Sequence, residues 1–294
     1  MTDQRLDQRA ARPLAAFSQA SLQDYLDCRR RFYLRYRLRL AWPALESEPV
    51  EEHERETELG QAFHRMVQQH VMGVPAGQLA AMAKGGDLAG WWQAYLDFVR
   101  PDLSGIRPQD GARFFPELSL SAPLAGMRLL AKYDLLVVQP GGQVTIYDWK
   151  TSRKLTERSR LAARMQTRVY RYVLAQAGAS LNQGRAILPD QIRMIYWFAA
   201  FPNQAELFPY DAQQHAQDGL VLGDLIGEIQ KLPETEFYLT ADERRCRFCT
   251  YRSLCERGVK AGNLADDLDA EEGGEKDDSG EADLDFDQIA EIGF

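Results

Sequence analysis

Four cysteines, split one against three, set the tightest constraint on how this 294-residue chain can fold. Cys246, Cys249 and Cys255 crowd into the run CRFCTYRSLC, and Cys28 stands alone 218 residues ahead of the first of them. C-x2-C is a common metal-ligand spacing because two thiolates on a short loop grip one centre, and Cys255 adds a third from the following turn. A fourth ligand is needed, and Cys28 closes the count with none spare. One centre shared by all four would press the first helix against the C-terminal segment and enclose everything between them. Spacing alone leaves zinc and an iron-sulfur cluster open, with four buried unliganded thiols as the plainer reading.

An apolar fraction of 45% and a charged fraction of 27% suit a globular chain with a substantial core. The start, MTDQRLDQRAARPL, holds no apolar stretch of signal-peptide length, and no run is long enough to cross a bilayer, so a cytoplasmic address without membrane contact is expected. In that reducing compartment the cysteines read as ligands or inert thiols rather than a disulfide framework. The net charge of -8 is unevenly spread. Residues 263–294 carry 13 of the 43 acidic residues and one basic residue, Lys276, which leaves a body of about +4 and a tail of -12. A mildly basic body can take a polyanion, because Lys and Arg that neutralise phosphates gain from counterion release. Arg29, Arg30, Arg31, Arg35, Arg37 and Arg39 fall within eleven residues; on a helix they spread over more than one face, so a solvated surface and a DNA-contacting one are equally good readings.

Ser18 and Ser21 are N-cap candidates for a helix through the arginine cluster, ending before Trp42-Pro43. Leu59, Phe63, Met66, Val67 and Val71 recur at spacings of three and four and predict a helix over 52–71; a third is expected over 79–99, ended by Pro101. From Arg113 the period shortens. Segments 114–121, 127–138 and 143–150, punctuated by Gly126 and Gly141-Gly142, read as an antiparallel meander. A helix over 158–177, strands at 192–199 and 206–210 and a helix over 213–232 follow. This order argues for an α/β core with a helical elaboration in front.

Asp134 and Asp148, on neighbouring strands, can hold two carboxylates at one edge of the sheet, within reach of a Mg2+ or Mn2+ ion that prefers hard oxygen ligands. Side chains alternate along a strand, so Asp148 and Lys150 in the run DWK share a face. The lysine can then orient an attacking water and neutralise charge growing on a phosphate. A surface salt bridge explains the same D-x-K spacing, and the pair alone does not choose between them. Glu117, at the start of the meander, is either a ligand for a second metal or a solvated strand end, and His64 alone reads as an ordinary helix histidine.

The succession FPELSL, the Gly126 turn, AKYDLL, TIYDWKTS and MQTRVY, preceded by FSQASLQDYLDCRRRFYLRY and ELGQAFHRMV, resembles the PD-(D/E)XK nuclease superfamily over residues 17 to 257, and within it the RecB-like branch. The iron-sulfur exonucleases of CRISPR adaptation and AddB-type nuclease domains are the nearest likeness. The resemblance implies a restriction-endonuclease-like core, a mixed sheet flanked by helices, with a C-terminal iron-sulfur segment. It makes Asp134, Asp148 and Lys150 the catalytic core, brings His64 to the metal, adds the Trp149 carbonyl as a ligand, and matches Gln166 and Tyr170 to a Q-x-x-x-Y helix motif. It also favours a 4Fe-4S cluster on Cys28, Cys246, Cys249 and Cys255 over zinc. The implied activity is metal-dependent hydrolysis of DNA, by an exonuclease acting on single strands or ends, in repair, recombination or CRISPR adaptation.

Two rivals are a non-catalytic DNA-binding or scaffold subunit of a helicase-nuclease complex that keeps this fold, and a zinc-stabilised nucleic-acid-binding module. The full set of motif residues speaks against the first, and the brown colour of an iron-sulfur protein would separate the second. The expected organisation is a flexible stretch over 1–16, a nuclease domain over 17–262 and a disordered acidic tail over 263–294. The tail's terminal apolar residues, Leu284, Phe286, Ile289, Ile292 and Phe294, suit docking on a protein partner, its charge suits autoinhibition as a DNA mimic, and simple solubilisation accounts for both features equally well.

Overall fold

A computed structural model of the chain describes residues 11–40, 48–83, 85–103 and 111–258. The elements run β1 (Ala16–Ser18), α1 (Gln19–Asp27), α2 (Arg29–Phe32) continued by a π-helical turn at Tyr33–Arg37, α3 (Glu48–Val71), α4 (Ala76–Ala80) and α5 (Gly86–Leu103). After them come β2 (Arg113–Leu124), β3 (Met127–Val138), β4 (Val144–Lys150), α6 (Arg158–Ala163), α7 (Met165–Ala177), β5 (Ile192–Phe198), β6 (Glu206–Pro209) and α8 (Ala212–Lys231). The Trp42-Pro43 stop and the acidic tail lie outside the described residues.

The sheet is mixed, and β3 is its hub. β2 runs antiparallel along the whole of β3, joined by a two-residue turn in which Ala125 and Gly126 both have positive φ (50° and 76°), the twist that a tight hairpin requires. The other edge of β3 is shared: β1 pairs in parallel with Arg128–Leu130, and β4 pairs antiparallel with Leu135–Val138. β5 then lies parallel to β4, and β6 antiparallel to β5. The expected meander is therefore three strands of a six-stranded sheet.

Helices cover both faces. On the first, Leu22 and Tyr25 of α1, Val169 and Val173 of α7, and Leu222, Ile226 and Ile229 of α8 pack on Leu136, Ile146, Met194 and Tyr196. On the second, Phe63, Met66 and Val67 of α3 and Trp91, Trp92 and Tyr95 of α5 pack on Leu135, Val137, Tyr147, Trp149 and Trp197.

Three expected helices are broken, each for a local reason. Ser18 and Ser21 do form the reciprocal cap of α1, with Ser18 Oγ accepting from Ser21 N at 3.2 Å and Ser21 Oγ accepting from Ser18 N at 2.9 Å. The helix stops at Cys28, which is extended (φ -160°, ψ 108°) and caps α2 by accepting from Arg31 N at 3.4 Å. The third helix divides at Gly85 and Gly86, both at positive φ (79° and 67°), and resumes through Pro101. Arg164, extended at ψ 143°, separates α6 from α7. Ahead of Phe17, Arg12 N donates to Arg37 O at 2.9 Å, and Ala11 and Leu14 lie against the core, so the packed chain reaches back to residue 11.

The first helices meet the C-terminal segment through several side-chain contacts. Arg31, buried, bonds Asp24 at 2.8 Å and Asp27 at 2.9 Å, and Arg245, beside Cys246, also pairs with Asp27. Burial still outweighs these charges and pushes the Asp27 carboxyl up. Arg35 bonds Asp24 and Arg29 bonds Glu228, so half of the arginine cluster is spent on structure. Phe32 stacks on Phe237 at 6.0 Å, and the Tyr251 hydroxyl donates to Leu40 O at 2.8 Å. Tyr251→Phe strands that buried carbonyl and is expected to cost about 1–3 kcal/mol in denaturant unfolding; an unchanged midpoint would show that the contact does not help to close the chain.

Candidate active site

The site lies where the sheet splits. β1 leaves β3 after Leu130 and β4 joins it at Leu135, so Asp134 stands one step outside the paired ladder. There the amide of Trp149 donates to Asp134 Oδ2 at 2.8 Å, fixing the carboxylate in the fork.

The alternation of inward side chains slips by one residue at the same rung. On β3, Leu129, Ala131 and Tyr133 face the first core, and beyond Asp134 it is Leu136 and Val138 that do so. On β2 the change comes between Phe115 and Leu118. The register pairs Pro116 with Leu135 and Leu118 with Tyr133, which leaves Glu117 across from Asp134 at the slip. Glu117 has φ 52°, a left-handed conformation that costs a non-glycine residue about 1–3 kcal/mol and gathers at functional sites.

His64 reaches this rung from α3, on the second face. Its Nδ1 is 3.4 Å from Asp134 Oδ1, and one ligand atom from each of His64, Glu117 and Asp134 lies within 4.8 Å of the others. Among the described residues this is the group spaced to hold an ion; its two carboxylates suit Mg2+ or Mn2+, and its imidazole favours a transition ion over Mg2+. Burial alone would raise the Asp134 carboxyl, but His64, the Trp149 amide and Lys150 together hold it below the usual carboxylate range. Glu117 moves the other way: burial pushes it up, the Asp134 charge adds to that, and Lys132 at 3.0 Å opposes it.

From the first face α7 supplies the other half. Lys150 Nζ is 3.0 Å from Asp148 Oδ2, and it donates to Gln166 Oε1 at 3.0 Å. Gln166 Nε2 donates to Asp148 Oδ1 at 2.7 Å, so the three side chains close a triangle that also fixes which way the amide points. Asp148 and Lys150 thus share a face, as strand alternation demands. Tyr196, directly across from Asp148 on β5, backs the triangle: its hydroxyl is 2.7 Å from Thr167 Oγ1 and 3.4 Å from Gln166 Oε1, and its ring lies 5.5 Å from Lys150 Nζ. Tyr170, one turn beyond Gln166, is buried with its ring 5.0 Å from that of Tyr133.

The structure therefore gathers His64, Glu117 and Asp134 at ion-holding spacing and joins the Trp149 amide to Asp134. Asp148, expected as a ligand beside Asp134, lies outside that group among the described residues and pairs with Lys150 and Gln166 instead. Lys132 and Tyr196 escaped sequence reading. Lys132 has the look of an outward strand residue and Tyr196 that of a core aromatic; only the strand register places them here.

The four cysteines, all partly buried, lie close enough for their charges to act on one another. Cys246 is pushed up to about 11 and Cys255 to about 12, and Cys249 is raised as well; burial is the main cause for each, with the charge of Cys28 adding to it in all three. Each of these three thiols thus resists ionising, chiefly because it is buried. The buried guanidinium of Arg31 adds positive charge near Cys249 and Cys28.

A family model for the PD-(D/E)XK nuclease superfamily matches residues 16–256. The chain belongs to that superfamily. Membership implies a metal-dependent nuclease, a hydrolase of phosphodiesters, and the mixed sheet between two helical layers fits the restriction-endonuclease-like fold. Of 18 matching chains of solved structure, one titled "Crystal structure of SSO0001" aligns over 86% of this chain and 91% of its own at 11% identity and a TM-score of 0.37, a likeness too loose to carry an argument. A comparison with the curated proteins finds no match. No helix among the described residues is long and apolar enough to cross a membrane.

Proposed function

We propose that this chain is a metal-dependent deoxyribonuclease of the RecB-like branch, closed by a 4Fe-4S cluster on Cys28, Cys246, Cys249 and Cys255, and acting as an exonuclease on single-stranded DNA or DNA ends in repair, recombination or CRISPR adaptation. The observation that carries the catalytic part is the convergence of His64, Glu117 and Asp134 within 4.8 Å, beside a lysine held by Asp148 and Gln166. A divalent ion bound there supplies Lewis-acid charge and makes water acidic enough to attack a phosphate near neutral pH.

The chain's own groups do the rest. His64, Glu117 and Asp134 hold the ion, with Asp148 next to them, and the Trp149 amide keeps Asp134 turned toward it. Lys150 orients the attacking water and sets positive charge beside the phosphate oxygens as the negative charge builds on them. Gln166 holds the ammonium of Lys150 through its carbonyl oxygen and Asp148 through its amide, so neither swings away. The body charge of about +4 and the exposed guanidinium of Arg39 favour a polyanionic partner.

The cluster reading draws on the thiol chemistry. Cys28, Cys246, Cys249 and Cys255 supply the four thiolates that such a cluster takes, and the charge of Cys28 reaches each of the other three.

The test is Mn2+ titration of the full chain by calorimetry. Asp134→Asn is expected to weaken Mn2+ binding by more than the roughly 100-fold that losing an outer-shell partner can cost, and to abolish cleavage. Unaltered Mn2+ affinity in that variant would reject the assigned ion site.

A further inference from the structure

Lys132 reaches into the site from a direction that the catalytic motif does not predict. Its Nζ is 3.0 Å from Glu117 Oε2, across the rung where β2 and β3 slip together. Glu117 is itself held at φ 52°, so the backbone of β2 is bent in just the place that carries this carboxylate to Lys132 and Asp134. Paired enzyme metals sit about 3.5–4 Å apart, and a carboxylate that bridges such a pair gives one oxygen to each ion. Here one oxygen of Glu117 is already taken by an ammonium group.

We propose that Lys132 stands in for a second cation, restricting Glu117 to a single ligand oxygen and making this a one-ion centre. The proposal rests on the reading of His64, Glu117 and Asp134 as an ion site, and the charges of the fork agree with it. Glu117, Asp134 and Asp148 bring three negative charges, and Lys132 and Lys150 return two positive ones. One divalent ion leaves the fork at +1, matched to the single charge of a phosphodiester. Two would leave it at +3, well beyond the single charge of that substrate.

The experiment is Mn2+ binding to the full-length, anaerobically purified protein, read by calorimetric stoichiometry and by the electron paramagnetic resonance of bound Mn2+. Wild type is expected to bind one Mn2+ that Asp134→Asn removes. Lys132→Met is expected to bind two, with the spectrum of a spin-coupled pair, and Lys132→Arg to stay at one. Two ions in wild type at the same Mn2+ concentration would overturn the proposal without any variant being needed. So would a folded Lys132→Met protein that still binds one ion with wild-type affinity. A wild type whose Mn2+ binding survives Asp134→Asn would instead overturn the underlying site, and the Lys132 role with it.

Discussion

Lys150→Ala is expected to lose cleavage by a factor on the order of 10²–10³ or more, the cost of removing one preorganised group that stabilises transition-state charge, while DNA binding stays near wild type. The separation follows from where the two energies reside. Affinity for DNA comes from many phosphate and stacking contacts spread over the surface, whereas Lys150 is a partly buried ammonium tied to Asp148 and Gln166 within the fork. Fluorescence anisotropy of labelled single-stranded DNA beside a digestion assay reads both quantities. A Lys150→Ala protein that cuts with Mn2+ as fast as wild type would remove the lysine from the mechanism.

Cys28→Ser and Cys249→Ser are each expected to give colourless protein with a lowered melting temperature. A clip between Cys28 and Cys246 closes 218 residues, for which chain entropy gives about 5 kcal/mol. That value is a ceiling, because the Asp27–Arg245 pair, the Phe32–Phe237 stack and the Tyr251–Leu40 hydrogen bond close the same loop without any cluster. A loss of about 2–5 kcal/mol corresponds to a fall in Tm of roughly 5–15 °C for a domain of this size. Visible absorption and a Tm both equal to wild type would reject the cluster.

The sequence was most legible where one periodicity rules a long segment. The α3 stripe of Leu59, Phe63, Met66 and Val67 and the three strands from Arg113 to Lys150 lie close to where their patterns put them, because burial on one face leaves little choice of register. It was least legible where backbone geometry overrides pattern. The arginine-rich helix reads as continuous, yet Cys28 turns extended and caps a new helix with its sulfur, which no helix propensity reports. β1 is three residues long and gains its place from the edge that β3 leaves open.

The candidate site divides along the same line. Asp134, Asp148 and Lys150 were readable as a spaced motif, and the shared face of Asp148 and Lys150 follows from strand alternation. Glu117 was ambiguous, because its role depends on a left-handed residue in mid-strand, which sequence offers no reason to expect of a glutamate. Lys132 and Tyr196 carry no motif at all; one is brought in by the strand slip, the other by the parallel pairing of β5 with β4.

The most direct test of the account is digestion of end-labelled single- and double-stranded DNA by anaerobically purified protein, with and without Mn2+, wild type beside Asp134→Asn. Labelled product that accumulates only in the presence of Mn2+, and only with wild type, is the predicted result. Equal product from both proteins, or none from wild type on either substrate with Mn2+ present, would contradict it.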